Sequence, residues 1–166
     1  MANVIKIIKS EPQIVEDAWT VVRGPEATTE ANTRQLILPI AYLENAPAEY
    51  EAIQPRAVWI APDDEFESLA QHFHKLDLIA VDFPSFRDGR GYSIGYLLRT
   101  RYKWQGELRA IGDVLRDQLN YMRRCGFDSF AVRADKNIHD AVKSFSHYSV
   151  QYQGAVDQPL PLFRRR

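Results

Sequence analysis

Arg87, Asp88, Gly89, Arg90 and Gly91 fill five successive positions shortly after an apolar run that ends at Phe83. Glycines at 89 and 91 let backbone N–H groups come close to a ligand. An amphipathic segment follows, and its first turn offers unpaired N–H groups and the positive end of a helix dipole. Arg87 and Arg90 add planar donors suited to carboxylate, sulfate, sulfite or phosphate. Ser93 can add a hydroxyl or cap the helix. Arg133, at the end of a later apolar stretch, can complete a pocket. Arg87, Gly89, Arg90, Gly91, Ser93 and Arg133 are therefore the candidate site for a small oxyanion. The competing reading is a plain turn whose arginines pair with Asp88 or Asp113.

Asp82 and Asp113 are the candidate general bases, because each stands at the end of an apolar run where a reacting group can be met. Gly89, Gly91 and Gly95 also spell G-x-G-x-x-x-G, with Asp113 downstream as a ribose-binding acid. The dinucleotide fingerprint, however, begins where its strand ends, and here five residues separate Phe83 from Gly89. No cofactor is expected, with NAD(P) or a flavin as the alternative. His72 and His74 fall on opposite sides of their segment and cannot chelate one metal from a regular helix. Cys125 is the only cysteine, so neither an internal disulfide nor an all-cysteine metal site can form. Its place at a helix end makes it a packed thiol, and no metal is expected.

The elements that must position these groups alternate regularly in the second half. Strands are predicted at 58–61, 78–83, 108–111 and 129–132, each followed by a helix with apolar residues at helical spacing. Asp63 or Asp64 and then Asp113 stand where helix caps belong, and Gly126 where a helix should end. Four successive βα units favour a parallel sheet, either open or curled into a half-barrel, whose ligands lie beyond the C-terminal strand ends. Upstream, "VIKII" and "AWTVV" read as a β-hairpin across "SEPQ". Residues 23–34 read as a polar loop, and "QLILPIAYL" as a strand that Pro39 confines to an edge or bends. Trp19, Trp59 and Trp104 read as packing residues, the last partly exposed.

Composition places all this in a single α/β domain, 1–166. It divides into a β-rich segment at 1–45, βα repeats at 56–150 and a tail at 151–166 whose closing arginines are expected to be disordered. A net charge of −1 gives no basic field for nucleic acid. No apolar run reaches the ~20 residues of a membrane span, and the N-terminus lacks a signal-peptide core. A cytoplasmic protein that binds neither nucleic acid nor membrane is expected.

"GRGYS", "GELRAIGDVLRDQ" and "RCGFD", in the densest stretch at 82–133, resemble the bacterial family catalogued as domain of unknown function 934. "VEDAWTVV" and "LILPIAYL" look like it as well. The resemblance implies a link to sulfate assimilation, because members are often encoded beside assimilatory sulfite reductase. Some are labelled probable oxidoreductases of sulfite reduction, but the family supplies no catalytic residues to carry over. The expectation is an accessory protein with an oxyanion-binding loop, partnered with the sulfite reductase hemoprotein or its electron donor. Two enzyme readings stay open beside it. One is an oxidoreductase with a nicotinamide or flavin, and the other a small phosphate- or sulfate-ligand enzyme of half-barrel type.

Overall fold

Val4–Ile8 (β1) and Glu11–Val15 (β2) pair antiparallel, with Ile8 opposite Glu11. Lys9 and Ser10 close the hairpin at φ 50° and 69°, the backbone of a two-residue turn that matches strand twist. The hairpin's second strand is thus "EPQIV" and not "AWTVV". Pro12 is accommodated because β2 lies at an edge of the sheet, where a missing N–H breaks no ladder on its open side. The structure, a computed structural model, describes residues 4–24 and 35–165. Of the polar loop expected at 23–34, residues 25–34 lie outside that description.

Thr20–Val21 (β3), Leu36–Pro39 (β4), Ala57–Ile60 (β5), Leu78–Phe83 (β6), Glu107–Gly112 (β7) and Ser129–Ala131 (β8) complete one eight-stranded sheet of order β2-β1-β8-β7-β6-β5-β4-β3. All pairs from β3 to β8 are parallel, as expected for the four βα strands, and β1 joins β8 antiparallel. Pro39 is the last residue of β4, which lies inside the sheet, and the chain leaves it as the short 3-10 turn Ile40–Leu43.

The connection from Val15 to Thr20 forces the sheet to curl. Eight strands laid flat at ~4.8 Å would separate β2 from β3 by ~34 Å. Five residue steps reach at most ~18 Å. The sheet is accordingly a half-barrel with residues 16–19 strapped across its inner face. There Trp19 packs with Ile37, Ala57, Leu78, Ala80 and Ile111. Arg109, 1% exposed, donates to both oxygens of Asp17 (2.9 and 2.8 Å) and to Glu107 (2.7 Å). Lys6 reaches Glu107 from β1 (2.7 Å), so three charged residues of the sheet and one of the strap close this face.

The outer face carries the helices and the larger core, in which Val58, Ile79, Val81, Leu108 and Phe130 meet Phe66, Leu98, Met122 and Phe145. Phe66–Lys75 is a 3-10 helix where sequence spacing predicts an α-helix, and Asp64 does not cap it. The Asp64 carboxylate turns back to accept from the Ala61 N–H at 2.6 Å. Helix α1 spans Arg90–Thr100, α2 Leu119–Arg124 and α3 Ile138–Ala141, the last continuing as a 3-10 turn to Ser146. Gly126, at φ 108°, ends α2 with paired bonds from Gly126 to Arg123 and from Phe127 to Met122, which satisfies the last carbonyls of the helix. Trp104 is buried against Phe73, not partly exposed. Among the described residues no helix is long and apolar enough to cross a membrane.

Candidate functional site

Beyond the C-terminal ends of β5 to β8, four loops meet as the sequence anticipates, and ionic contacts stitch them together. Arg90 lies at the start of α1 and donates to Asp88 beside it (3.0 Å from Nε, 2.7 Å from Nη2) and to Asp63 from the loop after β5. Asp88 also accepts from the Arg90 N–H (3.1 Å) and so satisfies one free N–H of the first turn, the N-cap itself being Gly89. Ser93 is exposed on the first turn. Asp113, after β7, holds the Phe86 N–H with one oxygen (2.8 Å) and Arg133 with the other (2.5 Å). It therefore bridges three loops and does not cap α2. Arg133 in turn grips Asp135 (2.6 and 3.1 Å).

The charges along this edge are fixed. Arg90 and Arg133 have their affinity for the proton raised by their aspartates. The Phe86 N–H, and after it Arg133, holds the Asp113 carboxyl below the usual aspartate range. Arg90 likewise lowers Asp88. Asp82 is 6% exposed, and both its oxygens accept from Arg23 (2.6 and 3.1 Å), whose guanidinium lies over the Trp59 ring at 5.3 Å. Each candidate base thus has both oxygens occupied, and Asp113 is a weak proton acceptor near neutral pH. Arg23 escaped the sequence reading because its partner comes from β6, 59 residues away.

The glycines divide by role. A Cβ on Gly91 would stand 2.7 Å from the Phe83 ring, and one on Gly95 2.4 Å from Phe127. These two glycines, one helical turn apart, let α1 lie directly on the aromatic core, which gives their spacing a reason apart from a pyrophosphate. Gly112, at φ 91°, leaves room for the Phe83 carbonyl and Asp82, each of which a Cβ would approach within 2.6 Å. A Cβ on Gly89 would meet only the Tyr92 ring, at an ordinary contact distance of 3.9 Å.

Phe86 and Arg87 form the outward corner. Asp113 fixes the Phe86 N–H, and Gln118 donates to its carbonyl (3.1 Å). The ring is 50% exposed with the Arg87 guanidinium 5.6 Å above it. Among the described residues no carboxylate pairs with Arg87. Sequence reasoning singled out Arg87 but missed Phe86 and Gln118, for which no spacing signal exists. Cys125 is buried, and burial pushes its thiol up. No group of histidine, cysteine or carboxylate side chains suited to a metal occurs among the described residues.

A mostly parallel half-barrel with an ion-paired rim at its strand ends defines the class of α/β protein to which this chain belongs. The family model described as a bacterial protein of unknown function, DUF934, matches residues 57–163, more than half of the chain, which therefore belongs to that family. No curated protein and no solved structure matches it.

Proposed function

We propose that the chain is an accessory protein of assimilatory sulfite reduction that docks on the sulfite reductase hemoprotein through the corner formed by Phe86 and Arg87. The observation that carries this reading is the double clamp on the Phe86 backbone, which holds an exposed aromatic ring and its stacked arginine in one place. An aromatic residue beside an arginine is the composition of interface hot spots, and prior ordering reduces what binding must spend on entropy. The tie to sulfite rests on the family resemblance, whose members are often encoded beside the reductase. The chain needs no cofactor in this role.

The same corner is the proposed entry for an oxyanion. Arg87 meets it first, because Arg90 and Arg133 already face carboxylates. Asp63 is highly exposed, so sulfite, sulfate or phosphate can replace it on Arg90 at little cost. Gly89, where a Cβ would meet only the Tyr92 ring at 3.9 Å, permits the close backbone approach.

Surface plasmon resonance with immobilised hemoprotein tests the docking. Binding of the full chain is expected, and Phe86→Ser or Arg87→Glu should weaken it by ~30-fold or more at unchanged circular dichroism. Absence of binding by the wild type overturns the reading. Calorimetric titration of the three oxyanions at low salt should give millimolar binding that Arg87→Ala abolishes.

A further inference from the structure

After the 3-10 turn that ends at Ser146 the chain does not trail away. Residues 151–165 form a closed loop anchored on α2. The Leu162 N–H reaches the Tyr152 carbonyl (2.8 Å), the Ala155 N–H reaches that of Gln158 (2.9 Å), and Arg165 clamps the carbonyls of Leu160 and Gln151 (2.7 and 3.0 Å). Helix α2 holds the loop through Arg124, nearly buried, which donates to the Gln153 carbonyl and to Asp157, and whose own carbonyl accepts from Val156. Gly154 is required for closure, because a Cβ there would stand 2.2 Å from the Pro159 carbonyl oxygen. The disorder expected for the tail arginines is thus corrected for Arg164 and Arg165; Arg166 lies outside the described residues.

This ordered loop turns its apolar side chains outward. Tyr152 is 66% and Phe163 59% exposed, their rings 6.3 Å apart, and Val150, Leu160 and Leu162 stand beside them in the open. Apolar groups gathered on a fixed backbone mark a contact surface. The loop's own unpaired charge has one sign. Asp157, the only acid of the loop, is spent on Arg124. Arg164 lies over the Phe163 ring at 5.7 Å, and Arg165 bonds carbonyls, so among the described residues neither pairs with a carboxylate.

From this we infer that residues 150–164 are a docking knob for a second protein, one with an apolar pocket rimmed by Asp and Glu side chains. Apolar filling supplies the affinity, and the arginines select the acidic rim. The pre-closed, irregular backbone suits one shaped pocket and lacks the amphipathic helix by which chains lie on lipid. The knob shares no residue with the Phe86 corner and goes beyond the sulfite reductase reading.

Photo-crosslinking of the full chain in its own cells tests it, with Tyr152→benzoylphenylalanine or Phe163→benzoylphenylalanine and Glu51→benzoylphenylalanine as control. The expected result is an adduct from the first two, absent from the control, in which mass spectrometry places the link on a peptide with carboxylates beside apolar residues. Arg164→Glu, which leaves the loop-closing bonds intact, should cut the adduct by about tenfold, as the loss of one charge pair predicts. Gly154→Ala should cut it as well by opening the loop. The inference is overturned if no adduct forms, if the only partner is a second copy of this chain, or if Arg164→Glu leaves the yield unchanged. Binding of the wild type to phosphatidylserine vesicles, lost in Arg164→Glu, overturns it in favour of a lipid surface.

Discussion

Adding one methyl group at Gly91 or Gly95 would drive it into Phe83 or Phe127, both packed in the core. Gly91→Ala and Gly95→Ala should each lower stability by ~1–3 kcal/mol in urea unfolding, the usual cost of overpacking. Gly89→Ala should stay within ~1 kcal/mol of wild type, because its φ of −84° suits alanine and its Cβ would make only an ordinary contact with Tyr92 at 3.9 Å. Equal losses at 89 and 91 would refute the division of roles. Asp113 offers a pH test. Its folded carboxyl titrates below the usual value, so the folded chain binds fewer protons there than the unfolded one. Its contribution is present above the ordinary aspartate pKa of ~3.9 and is lost as pH falls through the lower folded value. Below about pH 4 wild type should therefore lose stability more steeply than Asp113→Asn, in thermal scans from pH 5 to about pH 2.5.

The strap across the inner face depends on Arg109. Its guanidinium is buried among Asp17, Glu107 and Ser129. Burial pushes the Glu107 carboxyl up, but Arg109, Lys6 and Ser129 outweigh it and hold that group below its ordinary value. Arg109→Ala would leave Asp17 without its cation and Glu107 with Lys6 alone. A loss of ~3–5 kcal/mol is expected, with faster hydrogen exchange at 16–19. A loss under about 1 kcal/mol would show the strap to be held by Trp19 alone. The strands β5 to β8 were legible because apolar runs alternate with helical spacing between turn residues. The strap was not, since the cation in "ELRAIG" names no partner and Asp17 lies 92 residues away. The hairpin's second strand was misread because its turn, Lys9–Ser10, lacks the glycine or asparagine that marks such turns. At the rim, the rival reading of the turn's arginines as partners of Asp88 or Asp113 holds for Arg90 on Asp88, two residues away, while Asp63 on Arg90 and Arg133 on Asp113 needed the fold to bring them near.

The segment matched by the family model, 57–163, leaves out four of the eight strands. Cut free, it would expose β5 at one edge and β8 at the other, together with an inner face stripped of Trp19 and Asp17. That fragment should bind a hydrophobic dye and melt without a cooperative transition, whereas the full chain melts in one step; a sharp transition in the fragment would place the folding unit within it. The pairing of β1 with β8 also sets an order of events on the ribosome. The hairpin emerges first, yet its partner is among the last strands made, and Lys6 waits for a residue 101 positions later. At ~5–20 residues per second, that delay is about 5–20 s. Throughout it a finished hairpin carries an open edge and no sheet to join. Nascent chains stalled before β8 should therefore be the form that chaperones hold, and release should coincide with the synthesis of Ser129–Ala131.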